Sequence, residues 1–215
     1  MGAAIEIGQT SNQIAKTLGK VSSGSRIMVA ADDAAGSAVS IHLSAKASSQ
    51  LQGIRNAHDG LAIIQTSEAA IDQIINIVDR SRELSVQASS ETLEDTEREY
   101  VNAEYRTLLS EASRIAGALE FNGISIAGGE TMDVQVGAES ADSNRITIEV
   151  GDIDNAIIGM SAIDLTNVTN SRQGISRLDT VLQRLNADLS DLGAVHNRLV
   201  SAINNAHSTH ENLVA

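Results

Sequence analysis

The sequence predicts a mainly α-helical protein, an elongated antiparallel rod or coiled-coil-like bundle with a small β-hairpin element at one end. Three observations predict it. No proline interrupts the 215 residues, so nothing in the chain forces a helix to kink or stop. Apolar residues make up 42% of the chain, yet Tyr100, Tyr105 and Phe121 are its only aromatics. Such an aliphatic core fills a thin bundle better than a globule, which wants aromatic bulk. Finally, Ile175, Leu178, Leu182, Leu185, Leu189 and Leu192 repeat at alternating steps of three and four, and the frame continues through His196, Leu199, Ile203, Ala206, His210 and Leu213. That is about five and a half heptads on one a/d seam.

The elements follow in chain order. A short helix is predicted over 11–20, using Ile14 and Leu18. A long one runs over 35–89, with Ile54, Ala57, Leu61, Ile64, Ile71, Ile74 and Val78 on its seam. Gly53 and Gly60 lie inside it, each costing up to about 1 kcal/mol against alanine, so packing must offset that cost or the helix breaks there. Ser89-Ser90-Glu91-Thr92 reads as a break. A third helix covers 93–119, with Tyr100, Leu108, Ala112, Ile115 and Leu119 on one face; Glu91, Glu94, Asp95, Glu97 and Glu99 suit the positive end of its dipole and are offset by Arg98 and Arg106. Asn122-Gly123 and Gly128-Gly129 are turn signals. Met132, Val134 and Val136 then alternate with polar residues, as do Ile146, Ile148 and Val150, which is the period of a β-hairpin. Residues 152–170 read as a polar connection back into the last helix. Residues 1–127 and 166–215 thus form two limbs of one helical rod domain, and 128–165 its hairpin and connecting loop.

Composition excludes much chemistry. Without cysteine there is no disulfide, thiolate metal site or cysteine nucleophile. Fifteen basic against 28 acidic residues give a formal charge of −13, a field that repels nucleic acid and anionic membranes. No run approaches the 18 or so apolar residues of a membrane span, and residues 1–10 lack the basic start of a secretory signal.

Several motifs, in order along the chain, carry a resemblance. Ser22-Ser23-Gly24-Ser25-Arg26-Ile27, Asp32-Asp33-Ala34-Ala35-Gly36, Asn56-Ala57-His58-Asp59-Gly60 with Gln65-Thr66-Ser67-Glu68, Arg82-Glu83-Leu84-Ser85-Val86-Gln87-Ala88, Phe121-Asn122-Gly123, Val134-Gln135-Val136-Gly137-Ala138 and Leu192-Gly193-Ala194-Val195-His196-Asn197-Arg198-Leu199 resemble, block by block, the bacterial flagellins. The chain departs from the family at Met28-Val29-Ala30, at His58 and at His196. Its ends and middle are also shorter, so it reads as the rod portion of a flagellin with shortened termini, a chain that does not form filaments alone.

The resemblance implies a self-assembling structural subunit of the extracellular flagellar filament, not an enzyme and without a cofactor. Its implied partners are other flagellin subunits, an export chaperone and the leucine-rich-repeat ectodomain of Toll-like receptor 5. It also implies a receptor and subunit interface at Arg80, Arg82, Glu83, Leu84, Gln87 and Arg114. By spacing alone, Arg80 and Leu84 share a helix face, as do Glu83 and Gln87, and the plain alternative is a solvated face with one exposed leucine. Two other readings compete: a hook–filament junction protein, which shares the architecture and against which the 56–60 and 82–87 blocks argue, and a signalling coiled-coil hairpin, against which the β-hairpin argues.

Other candidates have plainer readings. His196 and His210 on the seam suit either a pH switch or tolerated polar positions in a thin bundle. His207, His210 and Glu211 are too few to specify a metal, and none is predicted. Asp32-Asp33 reads as a helix cap rather than a catalytic pair.

Overall fold

The computed structural model describes residues 2–24, 26–29 and 31–214; Ser25 and Ala30, from the motifs above, fall outside them. Among these residues five α-helices and two strand pairs follow one another, with a 3-10 turn at Asp142–Asn144: α1 Gly2–Ser23, α2 Ala34–Ala88, α3 Asp95–Gly117, β1 Glu120–Phe121, β2 Ile124–Ser125, β3 Thr131–Gln135, β4 Arg145–Glu149, α4 Ile153–Ser161 and α5 Val168–Val214.

The spine is α2 against α5, antiparallel. With 55 residues α2 is about 80 Å long, and α5, with 47, about 70 Å. Asp33 caps α2: its carboxylate accepts from the Gly36 N–H at 2.9 Å. Neighbouring Asp32 accepts from the Met28 N–H and pairs with Lys20 at 3.5 Å, and these contacts, the backbone one foremost, hold its carboxyl below the usual aspartate range. The α5 seam is buried with heptad regularity: Leu178, Leu185, Leu192 and Leu199 are fully enclosed, while Ile175, Leu182 and Leu189 are half-buried. His196 and His210 are half-buried at its edge, with His210 Nδ1 3.2 Å from the Ala47 carbonyl. On α2, Ile54, Ala57, Ile64, Ile71, Ile74 and Val78 form the facing seam.

Two different elements cover this pair, end to end. Toward the α2 C-terminus it is α3. Arg98 is buried there and its guanidinium donates to the carbonyls of Ala88, Ser90 and Leu93, so it ties the α2–α3 turn together rather than merely offsetting surface acids. Glu97 accepts from the Glu94 N–H at 3.0 Å, closing the start of α3. Toward the α2 N-terminus it is the β3–β4 hairpin, in register Met132↔Ile148 and Val134↔Ile146. The two glycines of α2 lie under it. A Cβ on Gly53 would stand 2.7 Å from the Val136 carbonyl oxygen, and one on Gly60 within 3.3 Å of Val134, Ile148 and Leu199. The helix is unbroken because the hairpin occupies the space the missing side chains leave.

Three expectations need correction. Residues 152–170 are not a plain connection: Asp152 caps α4, accepting from the Asn155 N–H at 2.9 Å, and Ile153, Ala156 and Met160 bury one side of it. The last helix begins at Val168. Tyr100 lies 73% exposed, and Tyr105 is the buried tyrosine, its hydroxyl donating to the Met160 carbonyl at 2.6 Å. Ala112 and Leu119 are buried as expected and Leu108 and Ile115 partly so, but Val101, Tyr105 and Ala116 are buried with them, because α3 also meets α4 on that side. Ile14 and Leu18 of α1 are more than half exposed, so among the described residues that seam is left uncovered. Asn122 and Gly123, read as a turn, both take positive φ (52° and 78°) and join β1 to β2 in a tight hairpin, the conformation that Asn-Gly favours.

Candidate interaction face

The residues singled out at 80–87 lie in the last turns of α2, where α3 flanks it on one side and α5 on the other. Arg80 reaches toward α3: its Nε and Nη2 donate to Glu104 Oε1 at 3.1 and 2.7 Å, and its Nη1 to Glu83 Oε2 at 2.8 Å. Both carboxylates, Glu104 foremost, hold the guanidinium above its usual range. Arg82 reaches the other way, donating to Asp179 Oδ1 on α5 at 2.6 Å. Glu83 and Gln87 are exposed. The set is therefore divided across the two flanks of α2.

Leu84 is no part of the exposed surface. It is 1% exposed, packed into the core. The α2 seam accounts for this: Ile71, Ile74, Val78 and Ser81 lead at steps of three and four to Leu84 and Ser85, then to Ala88, all buried. Arg114 is exposed and pairs with Glu111 of its own helix at 2.5 Å. It stands ten residues beyond Glu104, about 15 Å along α3, so it does not join the Arg80 cluster. Glu104 is the member that spacing missed; only the packing of α3 on α2 brings it to Arg80. These are exposed ion pairs, each worth about 0–1 kcal/mol, so they shape a surface more than they hold the fold. Among the described residues, no group of three or more His, Cys, Asp or Glu could hold a metal, and no helix is long and apolar enough to cross a membrane.

Comparison with known proteins decides what this rod is. Residues 1–131 match the bacterial flagellin N-terminal helical region. The chain is 36% identical, over its whole length and 80% of the relative's, to a flagellin of Halalkalibacterium halodurans. The chain belongs to the bacterial flagellin family. It is also 34% identical to the flagellin of Escherichia coli over three quarters of its own length, but spans only 32% of that much longer protein. Among solved structures it resembles Bacillus cereus flagellin, with a TM-score of 0.62, 30% identity and coverage of 71% of this chain and 88% of that one. As a flagellin, the chain is a structural subunit of the extracellular bacterial flagellar filament.

Proposed function

We propose that this flagellin contributes to motility as a stiff rod packed laterally and axially against copies of itself, and that the flank around Arg80 is the surface a Toll-like receptor 5 ectodomain reads. The observation that carries the receptor reading is the exposed Arg80–Glu83–Glu104 cluster, which bridges two helices and so presents a fixed charge pattern on a rigid support. Gln87 extends that face by two turns from Arg80, and Arg114 lies further along α3. Leu84 supports the face from beneath. Arg82, on the α5 flank, suits a contact with a neighbouring subunit instead. A helical filament needs contacts that do not close on themselves, which two unlike flanks supply. An export chaperone is the remaining partner that membership of the family suggests. Membership of the family supports a non-enzymatic role, and a spine that the hairpin and α4 decorate supports a division into a rod of 1–127 with 166–215 and an insert of 128–165.

The test is binding of the folded chain to the receptor ectodomain. Arg80→Ala and Gln87→Ala are expected to weaken binding at least several-fold with unchanged helicity. Equal binding by both variants and the parent overturns the assignment. Leu84→Ala is unsuitable as a surface probe, since it opens a core cavity. Self-packing is tested separately, by incorporation of labelled chain into flagellin filament seeds; a chain that the seeds exclude would overturn that part.

A further inference from the structure

The outer crease between α4 and α5 is a groove of about 450 Å³ with two unlike walls. The α4 wall is apolar, made by Ile158, Gly159 and Ala162, and Ile158 is 65% exposed. The α5 wall carries Val181 between Arg177 and Arg184. Arg177 donates to the Ala162 carbonyl at 3.2 Å, which holds it at the groove, and has no carboxylate partner among the described residues. Exposed apolar surface beside a guanidinium is the composition of a protein-binding site. On a chain of net charge −13 it is a local exception.

The complement is the tight β1–β2 turn. Asn122 and Gly123 fix its tip, and Phe121 packs its root against the core. Ile124, the cross-strand partner of Phe121, is 59% exposed. One pair further back, Glu120 lies opposite Ser125, so its side chain points to the other face of the ribbon. Glu120 is exposed and has no cationic partner among the described residues. The turn thus offers an apolar side chain on one face and an unpaired carboxylate on the other, as a groove with one apolar and one basic wall requires. The molecule cannot make this contact with itself. Arg80 holds Glu104 of α3, and Arg82 holds Asp179 of α5, both in the last turns of α2, so these two residues mark one level of the rod. The groove lies at that level, since Arg177 and Val181 flank Asp179. The turn follows Gly117, the end of α3, about 20 Å beyond Glu104 toward the β3–β4 hairpin. Turn and groove also sit on different flanks, because α4 stands between α3 and α5, bonded to Tyr105 on one side and, at Ala162 just past its end, to Arg177 on the other.

We propose that the β1–β2 turn of one copy seats in the α4–α5 groove of a second, parallel copy, with Ile124 against Ile158 and Glu120 against Arg177. The two copies point the same way and are offset along the rod by the same distance of about 20 Å that separates turn from groove. Each copy offers one turn and one groove on unlike flanks, so the contact repeats in one direction rather than closing as a dimer. It deepens the self-packing reading above and rests on it.

The chain has no cysteine, so the pair Ile124→Cys and Ile158→Cys gives a clean test. Oxidised at high concentration, the double variant is expected to form a ladder of disulfide-linked oligomers beyond the dimer, and each single variant at most a dimer. Dimers alone from the double variant, or no linkage, overturn the proposal. Charge reversal supplies an independent measure. Glu120→Arg or Arg177→Glu alone is expected to lower incorporation into flagellin seeds at least tenfold with unchanged helicity, and the two together in one chain to restore most of it. Single variants that incorporate like the parent, or a combination no better than either, overturn it. If the seeds exclude the parent too, the self-packing reading fails and this contact with it; if they take it up but no ladder forms, only the turn-in-groove contact fails.

Discussion

The paired part of the rod and its N-terminal extension carry the same kind of sequence and use it differently. In α5 and the latter part of α2, residues at three–four spacing are enclosed, among them Leu178, Leu185, Ile64 and Ile71. In α1, Ile7, Ile14, Leu18 and Val21 have that spacing too, and all are more than half exposed; Val39 and Ile41, early in α2, join them. Periodicity specifies which face of a helix seeks a partner, not that a partner is present. The chain's stability should accordingly reside in the paired part.

Mutations can break or sharpen that contrast. The largest effect is expected from Leu185→Ala, which empties a fully enclosed seam position and should cost about 2–5 kcal/mol in denaturant unfolding. Gly53→Ala comes next. Its new methyl meets the Val136 backbone, which cannot swing away as a side chain can, so a loss of about 1–3 kcal/mol is expected despite alanine's better helix propensity. A gain in stability there would show that the hairpin rides loosely on α2. Tyr105→Phe should cost roughly 0.5–1.5 kcal/mol, the net worth of one hydrogen bond, because the Met160 carbonyl loses the hydroxyl but keeps the Ile163 N–H at 3.0 Å. At the small end, Leu18→Ala in α1 should stay within about 0.5 kcal/mol of the parent. A Leu18 effect as large as that of Leu185 would dissolve the distinction.

A pH experiment sharpens it within the paired part. Asp188 on α5 has one carboxylate oxygen buried without a hydrogen-bond partner, close under Gly151. Burial pushes its carboxyl up, opposed by Arg184 and reinforced by Asp191, Asp152 and Glu149. The folded chain thus keeps this proton to higher pH than the unfolded chain does. The sign follows: stability falls as pH rises from the ordinary aspartate value of 3.8 through the raised one, and levels off above it. Asp188→Asn cannot titrate, so stability relative to that variant should decline across the window. Parallel curves would mean that the carboxyl is hydrated in solution.

Much of this architecture was legible because it is periodic. The long helices, the β3–β4 hairpin and the Asp33 cap all follow from spacing and turn chemistry. Leu84 was legible as well, since the α2 seam runs through it, but the motif around Arg82 drew the eye to its surface neighbours. The α4 helix was harder to see: nine residues with Asp154 and Asn155 in the first turn look like a loop until Ile153, Ala156 and Met160 are placed on one side. The exchange of Tyr100 for Tyr105 is set by how α3 meets α2 and α4, and the Arg80–Glu104 and Arg82–Asp179 pairs join residues 24 and 97 positions apart. No local rule reaches that far.

The burial of Tyr105 makes the molecule its own optical probe. Tryptophan is absent, Tyr100 is in water, and Tyr105 is the fully enclosed ring, seated where α3 meets α4. Near-ultraviolet circular dichroism therefore watches that joint and is nearly blind to the hairpin, whereas the far-ultraviolet signal sums the whole helical backbone. If the two melting curves coincide, the rod unfolds as one cooperative unit; if the tyrosine signal is lost first, the end bearing α3 and α4 lets go before the end bearing the hairpin.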